Sequence, residues 1–331
     1  MALRWADNFE FWTTMPGTFT TVSSNAPTIS SGSLSCPFND RSANVALSAQ
    51  ATWIVNIRFT VDVAVTGSLI SLWDITSAQV TLVLKSTGKL AVYRGEGNGT
   101  QIGSDSTHSF TTGTDYDVEF KVTIDNASGV IGVKVNGATE ISASSLDTQA
   151  TGNATADAVR LGHTTGDTSG ATWLFRHAVI MDSSGSEMND YIGPVAVNLH
   201  KPSGAGNYSQ FTPSAGSNYQ NVDDTANDGD STYNASGTLN QIDTYAMENC
   251  PAGVTSVKGV ALWWNARRDD ATTRGLSPVW RISATDYVGT EQNVGASYAF
   301  FTQNYALSPA TSTAWTSSEI DGAEAGIKVT T

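Results

Sequence analysis

The chain has 331 residues, enough for two domains of ordinary size, and only 15% of them are charged. Its net charge is −14, and it has no Lys/Arg cluster beyond Arg267 and Arg268. Nucleic-acid binding is therefore not expected, because displacing counterions from phosphates requires a basic face. We also expect no membrane insertion, since the sequence shows neither a signal-peptide pattern nor an apolar run of about 18 residues.

Strand periodicity dominates the first part of the chain. From residue 53 to residue 65 every odd position is apolar and polar residues lie between them, which predicts a strand with one buried face. Similar alternation recurs at residues 80–84, 90–92, 118–124, 131–135, 159–161 and 173–181. Asn136-Gly137 between two such segments predicts a hairpin, because both residues accept positive φ. These elements predict an antiparallel meander folded as a β-sandwich.

The composition changes at the Gly/Ser-rich segment 181–194, so we place a domain boundary near residue 193, giving domains 1–192 and 193–331. The second part is predicted to have a strand at 195–199 and then a long irregular segment at 201–220. Further strands are predicted at 257–263, 279–282, 298–301 and 326–329. Thr316 followed by Glu319 fits a capping box, which predicts one short helix before the last strand.

Several segments resemble known families. DNFEFW, EFKVTID, GVIGVKVNG and WLFRHAVIMD resemble the concanavalin A-like (laminin-G-like) lectin sandwich. MDSSGSEMNDYIGPVAV, SQFTPSAGSNYQNVDD, DGDSTYN and TSTAWTSSEIDGAEAGIKV resemble segments of tailed-bacteriophage virion structural proteins, in which a lectin-like sandwich precedes a second β-domain. One departure is Pro194, which stands where that family more often has an acidic residue.

The resemblance implies an all-β chain of two β-sandwich (jelly-roll) domains, the first of the concanavalin A-like lectin type, with at most one or two short helices. It implies an accessory structural protein on the virion surface, a capsid decoration or a head or tail fibre. Such a protein would be a homo-oligomer in contact with other capsid or tail proteins. The alternative is a tail-associated adhesin that binds host-surface polysaccharide during adsorption.

No catalytic residue is predicted. Asp117 and Glu119 lie two positions apart on one strand, but Lys121 continues the same face, so we interpret them as a solvated outer face. The four histidines are not at metal-pair spacing, and the sequence has no nucleophile elbow or phosphate loop. We therefore expect a protein that is not an enzyme, with polysaccharide degradation as the weaker alternative.

Glycan binding requires exposed aromatic rings, and the candidates are Trp264, Tyr208 and Tyr219. Trp263 and Trp264 are adjacent, so one of them points away from the core if the strand is regular. The sequence does not decide which, although Trp263, like Trp53 and Trp173, fits an inward-facing position. For Tyr208 and Tyr219, packing against another part of the assembly is the competing interpretation.

The segment VDDTANDGDSTYN, residues 222–234, is dense in carboxylates: Asp223, Asp224, Asp228 and Asp230. A calcium site is one hypothesis, because Ca²⁺ takes six to eight oxygen ligands. The favoured interpretation is an Asp/Asn-rich turn around Gly229. Apart from calcium, no cofactor is predicted. Cys36 and Cys250 are expected to be free thiols.

Overall fold

The computed structural model describes residues 2–10, 19–21, 27–30, 32–37, 41–62, 66–164, 170–224 and 227–331. The chain divides into two compact units, unit 1 (Met1–Val197) and unit 2 (Asn198–Thr331). The sequence placed this boundary at residue 193. Among the described residues the regular secondary structure of both units is antiparallel strand, apart from one 3-10 turn and one short helix, so the predicted all-β fold is confirmed. No helix in the described ranges has the length and apolar character needed to cross a bilayer.

Unit 1 is built from the strands β1 to β15. In chain order these are Leu3–Asp7, Phe19–Thr21, Thr28–Ser30, Ser33–Pro37, Ser42–Gln50, Thr52–Val61, Gly67–Asp74, Ser77–Leu84, Leu90–Arg94, Thr100–Ile102, Asp115–Thr123, Gly129–Val135, Ala138–Leu146, Ala156–Gly162 and Thr172–Asp182. One sheet has eight strands in the order β13-β12-β11-β6-β15-β4-β3, with β1 paired to β15. The second sheet has seven strands in the order β10-β9-β8-β7-β14-β5-β2.

Tryptophans join the two sheets of unit 1. The indole Nε1 of Trp53 on β6 donates to the carbonyl of Ala156 on β14 at 3.1 Å, and that of Trp173 on β15 donates to the carbonyl of Ser68 on β7 at 3.0 Å. Both rings are fully buried, so their polar N–H groups need partners inside the protein. The two bonds therefore tie the facing sheets together across the core of a β-sandwich.

The odd positions of β6 from Trp53 to Val61 are all fully buried, as predicted. The prediction of a single buried face is wrong, because Ile54 and Asn56 between them are fully buried as well. The strand ends at Val61, and residues 63–65 of the predicted strand lie outside the described residues. The predicted hairpin is also confirmed. Asn136 has φ 50° and Gly137 φ 85°, and Val135 of β12 pairs with Ala138 of β13.

Unit 2 contains the strands β16 to β25. In chain order these are Pro202–Ser209, Thr212–Pro213, Asn234–Ala235, Ile242–Met247, Val260–Ala266, Arg274–Ile282, Thr285–Val288, Gln292–Val294, Ala299–Tyr305 and Glu324–Val329. A six-stranded sheet has the order β16-β19-β25-β21-β22, with β23 paired to β21, and β17-β18 and β20-β24 form two separate ribbons. The core lies where the ribbon β20-β24 and the helix α1 (Ser317–Asp321) meet the sheet, around Trp264, Trp280, Trp315 and Ile320.

The helix begins as predicted, with Thr316 Oγ1 accepting from the Glu319 amide at 3.1 Å. Two other predictions for unit 2 are wrong. Residues 195–199 form no strand, and the segment expected to be irregular contains β16. Along β16 half-buried and exposed residues alternate strictly, because this edge strand packs only one face against its sheet. Because Gly204, Ala205 and Gly206 are all small, the sequence of this strand does not show an alternation of apolar and polar side chains.

Candidate functional site

A pocket of about 290 Å³ opens on unit 2 between the edge strand β16, the 3-10 turn Asn218–Asn221 and strand β19. Three tyrosines line it: Tyr208 from β16, Tyr219 from the turn and Tyr245 from β19. The fold therefore brings together Tyr208 and Tyr219, two of the three residues that the sequence singled out for glycan contact.

A buried hydrogen-bond network holds the turn against β19. Asp243 is fully buried, and its Oδ2 accepts from Asn218 Nδ2 at 2.7 Å and from the Tyr245 hydroxyl at 2.8 Å. Asn234 Nδ2 donates to the Tyr245 hydroxyl at 3.0 Å and to the Asn218 carbonyl at 2.8 Å. Burial, and then the charge of Asp243, raises the pKa of Tyr245 far above its usual value, so the phenol keeps its proton. This network fixes the turn that carries Tyr219.

Tyr208 is held by an ion pair. Its hydroxyl donates to Asp286 Oδ2 at 2.8 Å, and Arg281 Nη1 donates to Asp286 Oδ1 at 2.5 Å. The guanidinium carbon of Arg281 lies 5.1 Å from the centre of the Tyr208 ring. The hydrogen bond to Asp286 raises the pKa of Tyr208, so this phenol also remains a donor.

Gly206 allows a carboxylate to reach the backbone of β16. A Cβ at this position would lie 2.4 Å from the Thr244 carbonyl oxygen and 2.6 Å from Glu324 Oε2. Glu324 Oε2 instead accepts from the Asn207 amide at 2.7 Å and from Thr244 Oγ1 at 2.6 Å. The missing side chain thus lets Glu324 anchor the strand that forms one wall of the pocket.

The prediction of Trp264 as a glycan contact is wrong. Its ring belongs to the core of unit 2 and stacks on Phe301, with centroids 5.7 Å apart and planes 18° from parallel. Trp263, which the sequence assigned to an inward position, lies on the other face of β20 and is half-buried. The strand is regular, and its phase places the second tryptophan of the pair in the core.

The four aspartates of the acidic segment do not converge on one point. Asp224 and Asp228 both contact the Thr232 hydroxyl, at 3.3 and 2.8 Å. Asp230 Oδ1 instead accepts from Arg267 Nη2 at 2.9 Å. The hydrogen bond from Arg267 lowers the pKa of Asp230.

No group of three or more Asp, Glu, His or Cys in the described part of the chain is placed to hold a metal ion. Asp223, the remaining member of the predicted calcium set, adds no third carboxylate to the pair at Thr232. The described residues therefore do not fit the predicted calcium site. The turn itself has the expected chemistry, since Asn227 Oδ1 accepts from the Gly229 amide at 3.1 Å and Gly229 has φ 68°.

A second polar cluster lies on the outer face of the eight-stranded sheet of unit 1. Glu119 Oε1 accepts from the amides of Ile192 and Gly193 at 2.7 and 3.0 Å, and Asn56 Nδ2 donates to the Gly193 carbonyl at 3.0 Å. His177 Nε2 lies 3.2 Å from Asn56 Oδ1. Glu119 is only 2% exposed, so the prediction of a solvated face is wrong at this position: the chain folds back over the carboxylate.

Burial also changes the titration of this cluster. It lowers the pKa of His177 to about 4, with the nearby Arg58 charge as the second cause. It raises the pKa of Asp117, which lies opposite Arg58 in the sheet. His177 is therefore neutral at pH 7, and Asp117 holds a proton more readily than an exposed aspartate.

Comparison with known proteins gave structural likenesses only. The chain matches no protein-family model and no curated protein sequence. Alginate lyase Aly36B is 12% identical over 54% of this chain and 96% of that one, with a TM-score of 0.41. A sialidase is 15% identical over 54% of this chain and 18% of that one, with a TM-score of 0.39. A mutant of the GH43 protein BlXynB from Bacillus licheniformis is 11% identical over 53% of this chain and 39% of that one, with a TM-score of 0.40.

These three are carbohydrate-active proteins by name, and none is a phage structural protein. The predictions of a virion accessory structural protein and of a protein that is not an enzyme are contradicted by this comparison and are not retained. At 11–15% identity the likeness concerns the fold alone, so no activity is carried over from it. The predicted partners and the virion location stay predictions.

Proposed function

We propose that this chain is a carbohydrate-binding protein that holds one sugar residue of a polysaccharide in the unit 2 pocket. The observation that supports it most is the meeting of Tyr208 and Tyr219 in one pocket of about 290 Å³. Ligand pockets usually measure about 300–1,000 Å³, so this volume suits a single sugar ring. Oligosaccharide residues on either side would remain in solvent.

The pocket walls offer both kinds of contact that a sugar makes. The Tyr219 ring supplies an apolar surface for the C–H face of a pyranose. Ser209, Ser217 and Asn218 line the same pocket and supply polar groups for its hydroxyls. The network around Asp243 fixes these walls before a ligand arrives, which lowers the entropy cost of binding.

Titration calorimetry of the full chain with bacterial oligosaccharides tests this function. We expect saturable binding that is lost in Tyr219→Ala and kept in Tyr233→Ala, since Tyr233 is an exposed tyrosine outside the pocket. Absence of binding across neutral, amino and acidic oligosaccharides would refute the proposal.

Polysaccharide processing on the outer face of unit 1 is the second candidate function. Asp117 has a raised pKa, and its Oδ1 is buried without a hydrogen-bond partner among the described residues. Glu119 lies on the same face, and its Oε2 is also buried without a hydrogen-bond partner among the described residues. A carboxylic acid with a raised pKa suits a general acid, and a carboxylate beside it suits a base. The segment over Glu119 must leave the face before a polymer can reach it.

The second candidate is tested by incubating polysaccharides with the full chain and measuring new reducing ends and unsaturated sugars. The expected result is product formation that Asp117→Asn abolishes and that Asp147→Asn leaves unchanged. Asp147 is a half-exposed carboxylate that pairs with Arg94. No product from any polysaccharide would remove this candidate and leave the binding function standing.

A further inference from the structure

We infer that the unit 2 pocket selects uncharged and amino sugars and rejects sugars that carry a carboxylate. This inference rests on the proposed saccharide binding and names the ligand class of the same pocket. It follows from the direction in which the wall side chains donate their hydrogens, and from the charges that lie behind them.

Three hydroxyls of the wall donate to carboxylates. The Tyr245 hydroxyl donates to Asp243, and the Tyr208 hydroxyl donates to Asp286, both at 2.8 Å. Thr244 Oγ1 donates to Glu324 at 2.6 Å. Each hydroxyl has a single hydrogen, so these oxygens offer only lone pairs to a ligand.

Asn218 also uses its donor hydrogens within the protein. Both hydrogens of its amide nitrogen are used, one on Asp243 Oδ2 at 2.7 Å and one on the Phe211 carbonyl at 2.9 Å. The group left for a ligand is its Oδ1, an acceptor. These four groups therefore present acceptors, which suit the O–H and N–H donors of a sugar. The hydroxyls of Ser209, Ser217 and Tyr219 are the side-chain donors that the same wall leaves for a carboxylate.

The charges behind the wall act in the same direction. Asp243, Asp286 and Glu324 contribute three negative charges, and Arg281, which is bonded to Asp286, offsets one of them. Among the described residues, no Lys, Arg or His lines the pocket. A ligand carboxylate would be repelled across a partly desolvated site, whereas the ammonium of an amino sugar would be attracted.

The test compares sugars that differ at one substituent. Methyl glycosides of a hexose, the 2-amino hexose and the hexuronate, each in the gluco, galacto and manno series, are titrated into the full chain at pH 7 and low salt. In the series that binds, we expect the uronate to bind at least tenfold more weakly than the neutral sugar and the amino sugar to bind at least as tightly. Equal or tighter uronate binding would overturn the selectivity and leave saccharide binding intact. No binding of any sugar in all three series would overturn saccharide binding itself.

A charge variant tests the stated cause. Asp286→Asn keeps an oxygen to accept from Tyr208, but it removes one negative charge and releases Arg281 from its ion pair. The discrimination against the uronate is expected to fall at least threefold. Asp270→Asn is the matched control, because it breaks the Arg274 ion pair of the same unit outside the pocket and should leave the ratio unchanged. An unchanged ratio in Asp286→Asn would overturn the electrostatic cause.

Discussion

The hydroxyl of Tyr245 donates a hydrogen bond of 2.8 Å to the fully buried carboxylate of Asp243. The two residues are two positions apart on β19, so they share one face of the strand. Asn218 from the 3-10 turn completes the arrangement by donating to the same carboxylate oxygen. A buried charge is tolerated only when it is well bonded, and here its partners are also walls of the pocket. We therefore expect both the stability of unit 2 and binding in its pocket to depend on this carboxylate.

The first prediction concerns this carboxylate. Asp243→Ala leaves the Asn218 amide and the Tyr245 hydroxyl as buried donors without an acceptor, which costs about 2–4 kcal/mol of unfolding free energy. Urea unfolding followed by tryptophan fluorescence measures the loss. Asp269→Ala, at an exposed carboxylate of the same unit, is the control and should unfold like the parent. Matching midpoints for all three proteins would show that the network does not stabilise the unit.

The second prediction separates stacking from hydroxyl bonding at Tyr219. Tyr219→Ala removes the ring and should weaken saccharide binding at least tenfold, or about 1.4 kcal/mol. Tyr219→Phe keeps the ring and should bind within about fivefold of the parent, since a net hydrogen bond contributes only about 1 kcal/mol. Calorimetry with the best ligand measures both. Equal losses in the two variants would mean that the hydroxyl, and not the ring face, makes the main contact.

The third prediction concerns the segment that covers Glu119. Glu119→Ala removes the acceptor of the Ile192 and Gly193 amides, so their hydrogen exchange should accelerate about tenfold or more. Amide exchange followed by mass spectrometry reports on this segment directly. Glu187→Ala, at an exposed glutamate a few residues earlier, should leave the exchange unchanged. Equal exchange in both variants would show that Glu119 does not hold the segment.

The fourth prediction follows from the pKa of His177, which burial lowers to about 4 from an ordinary value near 6.5. On acidification the unfolded chain binds a proton at His177 at a higher pH than the folded chain does. The stability that neutral His177 contributes is therefore fully present above about pH 6.5. It is lost as the pH falls toward 4, up to about 3 kcal/mol. His177→Gln should show a shallower pH dependence between pH 6.5 and 4. An imidazole that titrates near pH 6.5 in an NMR titration would contradict this assignment.

Alternation in the sequence predicted much of the fold correctly. The odd positions from Trp53 to Val61 are buried as predicted, because a strand in a sandwich turns every second side chain inward. The burial of Ile54 and Asn56 on the other face was not predicted, since it depends on packing that alternation does not report. Asn136-Gly137 and the Thr316 cap were also predictable, since local backbone chemistry decides them. Such features depend on neighbours in sequence.

The candidate functional site depends on contacts between residues that are far apart in the sequence, and the sequence did not reveal these contacts. Alternation alone could not decide whether Trp263 or Trp264 faces the core, because both are apolar and adjacent. The pairing of Asp243 with Asn218 spans 25 positions and has no local signature. IDTYAM does place Asp243 and Tyr245 on one face, and that pattern could have suggested a buried pair. The burial of Glu119 depends on a segment more than 70 positions later in the chain.

The measurement that tests the central claim most directly is a map of amide chemical shifts in the full chain on addition of the tightest-binding neutral saccharide. Binding in the unit 2 pocket predicts saturable shifts at Gly206, Ser209, Ser217 and Thr244, all residues that line it. Shifts confined to unit 1, around Asn56 and Glu119, would contradict the claim.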